Sequence, residues 1–423
     1  MGYVNDMLRN IPLPRMVKVQ QSFDGTKLED PAQGVRDAFD RPEIMERIKP
    51  GMSIAITVGS RGVANVALIT REIVRILQEK GAKPFIIPAM GSHGGSSAEG
   101  QRDIVLEYGC TEEYLGCPVR STMEVVQIGT LDDGKPIYID RYAYEADGII
   151  PVNRIKAHTA FHRRYESGVM KMMAIGLGKQ KGAETVHRDG IMHLGPNVEK
   201  MAFGILKNAK ILMGVGLIEN AFDQTMEVHA MTAEEIPVKE PELLLKAKAN
   251  MSRILIDEVD VMMVDYIGKD ISGEGMDPNV AGRYIVPNLE GGIKAFNIGI
   301  LDLTEETLGN FVGLGMADVC SKRVIDKISL DNTYPNSLTS TVTCLCKLPM
   351  YFDNHKLTMQ AAVKMTPAKN PEDVTMIRIR DTLSLHEIEI SENLVPLAKT
   401  IPGMKIVSEP YELTFDENGD LFA

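Results

Sequence analysis

Paired cysteines are missing from this 423-residue sequence. Its five cysteines are an odd number, and none of them has the spacing of a paired-cysteine motif. Cys344 and Cys346 stand two residues apart in a predicted strand, but no second pair accompanies them. The sequence therefore predicts neither a zinc site built from cysteines nor a disulfide framework.

Long apolar runs and an excess of positive charge are missing as well. No apolar stretch approaches the roughly 18 residues that a membrane-spanning helix needs, and the N-terminus lacks the apolar segment of a signal peptide. A cytoplasmic protein without a membrane partner is therefore expected. The formal net charge of -12 argues against nucleic acid as a partner, because nucleic acids select basic surfaces.

What is present is the composition of a globular protein, with 44% hydrophobic and 25% charged residues. The chain is too long for one ordinary hydrophobic core. We expect two α/β domains, residues 1–250 and residues 251–423, each with a mostly parallel sheet flanked by helices. The first would hold the catalytic residues, and the second would close over an active site in the cleft between them.

The clearest local pattern is a strand–helix–strand unit. A β-branched run at 52–58 is followed by helically spaced apolar residues at 63–80 and by a second strand at 83–89. This order favours two parallel strands joined by a right-handed crossover. Glycine-bearing loops at 59–62 and 91–95 then lie at the carboxyl ends of neighbouring strands, where open α/β sheets bind their ligands.

The other elements are predicted from the same signals. Ser96 and Glu99 have the spacing of a capping box, which starts a helix that runs to about Tyr108. A further helix begins near Pro241, with the proline in its first turn. Strands are expected at 146–153, 210–217, 259–265, 297–301, 340–345 and 375–379, and helices at 241–248, 315–328 and 355–363.

The segment from Asn153 to His193 indicates a chemical site. It contains four of the eight histidines, set among glycines and methionines, and His93 stands upstream in a glycine-rich loop. Histidine exchanges protons near neutral pH and binds metals as a neutral imidazole. Basic residues crowd the same segment, which fits a small anionic ligand or, alternatively, a solvated basic face; they are Arg154, Lys156, Arg163, Arg164 and Lys171.

Two motifs do not hold, and a third is incomplete. Gly176-Leu177-Gly178-Lys179 lacks the first glycine and the final serine or threonine of a phosphate loop. Glu219 stands where a dinucleotide fingerprint needs its third glycine. His158 and His162 are four residues apart, which on a helix would give a zinc-binding face, but the glutamate of the metalloprotease pattern is missing.

Six residues, taken together, resemble the pattern of the nickel-pincer-nucleotide lactate racemase family, which contains 2-hydroxy acid racemases and epimerases. The family carries an arginine loop, a histidine loop, a second histidine, a lysine with a metal-binding histidine sixteen residues later, and a Lys-Asp-Ile element. The resemblance covers most of the chain. The matching residues are Arg61, His93 in Gly91-Ser92-His93, His158, Lys171, His187 and Lys269 in Lys269-Asp270-Ile271.

The resemblance implies an isomerase with a bound cofactor. The family's cofactor is nickel held by a pyridinium-3,5-bisthiocarboxylate-type mononucleotide. It would be attached covalently at Lys171, and His187 would complete the nickel coordination. The apolar neighbours of Lys171 argue against a solvated surface lysine. The pyridinium carbon accepts a hydride from the substrate, which leaves a neutral ketone in place of a doubly charged carbanion.

The resemblance also implies roles for the remaining residues. His93 and His158 would exchange the hydroxyl proton on either side of the substrate, although His162 competes with His158 for this role. Arg61 and Lys269 would bind the substrate carboxylate or stabilise nearby charge.

The chain departs from the family pattern in two respects. The family usually has an aspartate three residues before the arginine, where this chain has Val58. Arg163 and Arg164, outside the usual pattern, would bind a second carboxylate or a sugar-acid tail. Ser96 and Ser97 would hold the nucleotide phosphate at the start of a helix.

The expected substrate is therefore a small 2-hydroxy acid: lactate-like, a dicarboxylate or a sugar acid. Cofactor-synthesis proteins are the expected partners, and a homo-oligomer is compatible with the sequence. Two other functions stay open. The missing aspartate favours a non-catalytic homologue that binds a phosphorylated metabolite. The pair His158 and His162 is compatible with a zinc-dependent hydrolase.

Overall fold

The computed structural model describes residues 2–60, 62–367 and 369–422 of the chain, which form two compact units. The first unit is Asp24–Met251. The second consists of the chain up to Phe23 together with the chain from Ser252 onward. The N-terminal segment belongs to the second unit because its strand pairs with strands from the end of the chain.

The strands of the described residues are numbered in chain order. They are β1 (Met16–Gln21), β2 (Ser53–Val58), β3 (Lys83–Pro88), β4 (Val125–Thr130), β5 (Pro136–Asp140), β6 (Gly148–Ile150), β7 (Val152–Arg154), β8 (Met213–Glu219), β9 (Thr225–Thr232), β10 (Glu258–Ile267), β11 (Lys294–Leu303), β12 (Val319–Ser321), β13 (Met350–Phe352), β14 (Met376–Ile379), β15 (Glu387–Ser391) and β16 (Met404–Ile406).

The helices of the same residues are numbered likewise, and none of them combines the length and apolarity that a bilayer crossing requires. They are α1 (Gly2–Leu8), α2 (Pro31–Phe39), α3 (Pro42–Met45), α4 (Val66–Glu79), α5 (Ala98–Glu107), α6 (Glu112–Leu115), α7 (Arg141–Glu145), α8 (Val169–Lys171), α9 (Lys179–His187), α10 (Leu194–Asn208), α11 (Ile236–Asn250), α12 (Pro278–Ala281), α13 (Lys322–Lys327), α14 (Leu330–Ser340), α15 (His355–Lys364) and α16 (Val395–Ala398).

The first unit is built around β2, which pairs in parallel with β3 on one side and with β6 on the other. The predicted strand–helix–strand unit is therefore confirmed as β2–α4–β3. Alternate side chains of β2 enter two different core clusters: Ile56 packs with α4, whereas Ala55 packs with Met172. Both faces of the sheet are buried, as is usual for parallel strands.

Two further small sheets complete this unit. β4 and β5 form an antiparallel pair, and β8 pairs in parallel with β7 and antiparallel with β9. The single strand predicted at 146–153 is divided into β6 and β7 by Pro151, which has no N–H to donate to a neighbouring strand.

α11 begins earlier than the sequence predicted. It starts at Ile236, so Pro241 lies inside the helix and not in its first turn. A proline in a helix leaves the carbonyl four residues earlier without its donor. That carbonyl belongs to Pro237, and it accepts a hydrogen bond of 2.7 Å from the Tyr165 hydroxyl. A contact between distant segments therefore compensates for the proline, and no local pattern reveals it.

The second unit contains one large sheet of order β13-β12-β11-β10-β14-β15-β1-β16. The pairings from β13 to β14 are parallel, and those from β14 to β16 are antiparallel. Helices flank this sheet, and β10 and β11 supply much of its core. The predicted α/β class, with mostly parallel sheets flanked by helices, is confirmed.

Two predicted elements of the second unit are wrong. Residues 340–345 do not form a strand, because α14 extends to Ser340 and a short 3-10 turn follows at Cys344–Cys346. The Cys344 carbonyl packs against Gly315, where a Cβ would lie 1.9 Å from its oxygen. The helix predicted at 315–328 is interrupted by β12, which pairs in parallel with buried β11. In both cases tertiary contacts override local propensity.

Gly214 in β8 provides a test of how the first unit is packed. A Cβ at this position would lie 2.6 Å from a Val169 methyl and 2.9 Å from an Ile236 methyl. We expect Gly214→Ala to lower the free energy of unfolding by about 1–3 kcal/mol through overpacking. Gly62→Ala is the control, since a Cβ there meets no atom within 4 Å. Equal urea-unfolding midpoints for the two variants would contradict this packing.

Candidate functional site

The loops that follow β2 and β3 lie against one turn of the chain. A Cβ at Gly59 would lie 3.1 Å from the Met172 methyl, and a Cβ at Gly91 would lie 3.1 Å from an Ile175 methyl. Both loops therefore contact the turn Met172–Gly176, which directly follows Lys171. Arg61, predicted to bind substrate in the first loop, lies outside the described residues.

Lys171 ends α8, and the chain continues through a π-helical turn at Met172–Gly176 into α9. π-helical turns are frequent at functional sites. Met170 and Met172 are buried, whereas Lys171 itself is half-buried. The predicted apolar surroundings of Lys171 are therefore present. His187, sixteen residues later, is the last residue of α9.

The charge of Lys171 acts on two histidines. Burial, followed by the positive charge of Lys171, lowers the pKa of His187 to about 4. Burial, followed by Lys171 and then Lys156, holds the pKa of His158 well below its usual value. His187 and His162 contribute further to the shift of His158. The structure thus brings these side chains into one neighbourhood and keeps the rings of His158 and His187 neutral near pH 7.

The ring of His187 is suited to bind a metal ion. Its Nδ1 is buried, and no atom of the described residues forms a hydrogen bond with it. Buried polar atoms in proteins nearly always have a partner, so such a nitrogen calls for one. A neutral imidazole with an unused lone pair is the form that coordinates a metal. His187 therefore fits the predicted metal-binding role.

The His158 ring is fixed by its own loop. It stacks on Phe161 with a centroid distance of 4.1 Å, and its Nδ1 accepts a hydrogen bond of 3.0 Å from the Ala160 N–H. A neutral imidazole that accepts at Nδ1 carries its proton on Nε2. For His158 to accept a proton at Nε2, the ring proton must first move to Nδ1, which requires the Ala160 contact to open.

Glu166 holds this loop, a role that the sequence indicates only by one acidic residue within a basic stretch. Its buried carboxylate accepts the N–H groups of His158, at 2.8 Å, and Arg163, at 2.9 Å. Lys248 supplies the counter-charge at 2.6 Å. Hydrogen bonds to a charged group are stronger than neutral ones. Glu166 therefore sets the backbone position of His158.

Glu240 is a second carboxyl that the sequence missed. It is almost fully buried, and it accepts a hydrogen bond of 3.0 Å from the Met170 N–H at the start of α8. A Cβ at Gly168 would lie 2.4 Å from one of its oxygens. Glu240 thus caps the helix that carries Lys171, and glycine leaves it room to do so. Burial raises the pKa of Glu240 to about 8.

The loop after β3 places His93 at the protein surface. Gly94 and Gly95, which follow it, both have positive φ, a conformation that favours glycine. The predicted capping box is wrong: the cap of α5 is Ser97, whose hydroxyl accepts the Gly100 N–H. Ser96 has a positive φ, and its hydroxyl donates to the Ser92 carbonyl. The phosphate-binding role of these two serines stays a prediction.

The Arg163 side chain lies beside α10. Its guanidinium is 3.9 Å from Glu199 and lines a cavity of about 850 Å³ between the β4–β5 turn and α10. Lys269 belongs to the second unit, where its ammonium donates to the Gly273 carbonyl at 2.6 Å. The substrate-binding roles of Arg163 and Lys269 stay predictions.

The geometry removes the basis for a zinc face. His158 and His162 lie in an irregular loop and not on a helix, so the helix face on which the predicted zinc pair depends is not formed. Across the described part of the chain, no group of three histidine, cysteine or acidic side chains is arranged to hold a metal ion.

Comparison with known proteins bears on the same residues. Residues 5–198 match a family model described as the lactate racemase N-terminal domain. This part of the chain is therefore similar to the lactate racemase N-terminal domain. The predicted family resemblance is confirmed, and the matched range includes His93, His158, Lys171 and His187. Lys269 lies beyond it.

The fold comparison extends over more of the chain. The solved structure of the lactate racemase apoprotein from Thermoanaerobacterium thermosaccharolyticum matches with a TM-score of 0.52 and 13% identity, covering 88% of this chain and 99% of that one. At this identity the likeness shows the fold alone. No curated protein matched the chain.

The capping role of Glu240 can be tested by its dependence on pH. Because its pKa is raised in the folded chain, folding binds a proton between pH 4.5 and about 8, so stability falls as the pH rises through this range. Glu240→Gln carries no charge to desolvate and should gain stability relative to the wild type between pH 6 and pH 9. Glu240→Ala should lose about 1–3 kcal/mol at pH 6, since it leaves a buried N–H unpaired.

Urea unfolding at both pH values measures these differences. If the difference in free energy of unfolding between Glu240→Gln and the wild type were the same at pH 6 and pH 9, the raised pKa of Glu240 would be contradicted.

Proposed function

We propose that the chain is a racemase or epimerase of a small 2-hydroxy acid, acting with a nickel-pincer nucleotide. The observation that carries this proposal is the shared neighbourhood of Lys171, His158 and His187. Lys171 lowers the pKa of both histidines, and His187 offers a buried nitrogen that no described residue contacts by hydrogen bonding. All three residues lie within residues 5–198, the range that matches the model of the lactate racemase N-terminal domain.

The residues present fit the proposed cofactor. Lys171, half-buried between buried methionines, would form the covalent attachment, and His187 would bind the nickel. A nucleotide that itself supplies most of the metal donors needs only one imidazole from the protein, which agrees with the lack of a three-ligand cluster among the described residues. When bound, this cofactor would supply a hydride acceptor, so the substrate carbon would be oxidised to a ketone.

His93 and His158 are proposed to handle the hydroxyl proton on the two sides of the substrate. Their environments differ. His93 is exposed on a glycine-rich loop, whereas His158 is buried and neutral, with its Nδ1 bonded to the Ala160 N–H. The neutral ring of His158 therefore carries its proton on Nε2, and this nitrogen accepts a proton only after the ring proton relocates to Nδ1.

Substrate binding is proposed to rest on cations, because a carboxylate needs a counter-charge in a partly buried site. Arg61 and Lys269 are the proposed carboxylate ligands. Arg163, whose guanidinium is 3.9 Å from Glu199, would bind the far end of a longer substrate such as a dicarboxylate or a sugar acid. Cofactor-synthesis proteins are the partners that this function requires.

A second function has one observation in its favour. Val58 is buried at the end of β2, where the family usually has an aspartate, so no carboxylate is available there to orient a catalytic histidine. A non-catalytic homologue that binds a phosphorylated metabolite would tolerate this change. It predicts ligand binding that is unaffected by loss of Lys171.

Co-expression with cofactor-synthesis proteins provides the test. Intact-mass measurement should show an adduct on the wild type, and peptide mapping should place it at Lys171. Lys171→Arg should abolish both the adduct and the loss of optical activity of 2-hydroxy acids. His187→Asn should keep the adduct but lose nickel, because it removes the metal ligand and leaves the attachment intact.

Lys181→Arg is the matched control, since Lys181 is an exposed lysine on α9 whose ammonium stacks on Tyr138. It should retain both adduct and activity. An unmodified wild-type chain under these conditions, or metabolite binding unchanged by Lys171→Arg, would favour the non-catalytic function.

A further inference from the structure

Lys179 begins α9 and is fully buried, with a relative exposure of 0%. It has a positive φ of 54°, which is unusual for a residue with a side chain. The sequence places it in Gly176-Leu177-Gly178-Lys179, a segment that fails as a phosphate loop. In the structure, however, the ammonium of this lysine lies inside the protein and contacts three separate segments.

The three contacts of the Lys179 ammonium are all buried. It pairs with the Asp140 carboxylate, at the end of β5, at 3.1 Å. It donates to the Pro88 carbonyl, at the end of β3, and to the Gln101 side-chain oxygen at 3.1 Å. Buried lysines persist only where the charge is paired and hydrogen bonded, and this one meets both conditions.

Gln101 extends these contacts to the loop that carries His93. Its side chain, also fully buried, donates through Nε2 to the Gly91 carbonyl at 2.9 Å and to the His93 carbonyl at 3.1 Å. The Gly91 N–H in turn approaches the Gly176 carbonyl at 3.5 Å. The chain of contacts thus runs from the first residue of α9, through Gln101, to the backbone of His93.

We propose that Lys179, acting through Gln101, is a positioning residue that fixes the His93 loop relative to the helical segment holding Lys171 and His187. This inference rests on the proposed function, in which His93 exchanges the substrate proton. Loops exposed to solvent are ordinarily mobile, and a proton-transfer group must be held within hydrogen-bonding reach of the substrate. The buried ammonium is a fixed point in the protein, and Gln101 connects the exposed loop to it.

The test must remove the anchor without leaving an unpaired buried charge. Loss of Lys179 alone would strand the Asp140 carboxylate, which is strongly destabilising. The double variant Lys179→Met/Asp140→Asn removes both charges, and the asparagine oxygen can still accept the Ala143 N–H that Asp140 now accepts at 3.1 Å.

A second variant, Gln101→Glu, isolates the final step. It has nearly the same shape and keeps an oxygen for Lys179. However, it replaces the Nε2 donor by an oxygen that faces the carbonyls of Gly91 and His93. This variant carries the test if the double variant fails to fold.

Two measurements follow on cofactor-loaded protein. Both variants should keep the adduct at Lys171 but lose about 10- to 100-fold in kcat, with KM changed less than about threefold, because the reacting group is misplaced and binding is retained. Hydrogen exchange of the backbone amides of residues 91–97 should become faster, while exchange in α4 stays as in the wild type. A general loss of stability would instead raise exchange throughout the unit.

Arg36→Met/Glu72→Gln is the matched control. It removes an ion pair of 3.0 Å in the same unit, between α2 and α4, whose glutamate is also buried. It should change neither kcat nor exchange of residues 91–97. Wild-type kcat and unchanged loop exchange in Gln101→Glu would overturn the positioning role.

Hydrogen exchange also separates this inference from the proposed function. If the wild type turned over no 2-hydroxy acid, the proposed function would fail. Faster exchange of residues 91–97 in Gln101→Glu would still support the anchoring of the loop by Lys179, and unchanged exchange would overturn it.

Discussion

The candidate site of the first unit depends on two imidazoles, those of His158 and His187, whose pKa values are lowered by burial and by the nearby charge of Lys171. Lys171 lies close enough to His158 and His187 for its charge to lower the pKa of both. Protonating either ring would place a second positive charge in a partly dry environment, so both rings stay neutral. A neutral imidazole can bind a metal or hydrogen bond to a substrate, which is the form that the proposed roles of both histidines require.

Two buried glutamates and a buried lysine behind the loops hold these groups in place. Glu166 binds the backbone of the His158 loop, and Glu240 caps the helix of Lys171. Lys179 contacts the strand end that leads to His93. In each case a buried side chain that can carry a charge holds backbone groups and so orients a loop or a helix. The proposed proton transfer by His93 and His158 requires rigid support of this kind.

The sequence predicted the parts of this arrangement that depend on local spacing. The β2–α4–β3 unit and the glycine loops follow from hydrophobic periodicity and turn residues, and the structure has them. The supporting residues escaped prediction because their partners are remote in the chain: Met170 and Glu240 are 70 residues apart, and Lys179 and Pro88 are 91 residues apart. Pro241 misled the prediction for the same reason, since the donors to the Pro237 carbonyl, Tyr165 and Arg164, are 72 and 73 residues away from it in the chain.

The most direct measurement of the central constraint is an NMR titration of the histidine rings in the cofactor-free protein, comparing the wild type with Lys171→Met. Removal of the lysine charge should raise the pKa of His187 above its value of about 4, though not fully to 6.5, because burial is the larger cause of the shift. The pKa of His158 should rise as well. Lys181→Met, which removes an exposed charge from the same helical segment, should change neither. If both rings titrated identically in the wild type and in Lys171→Met, these three residues would not share one site.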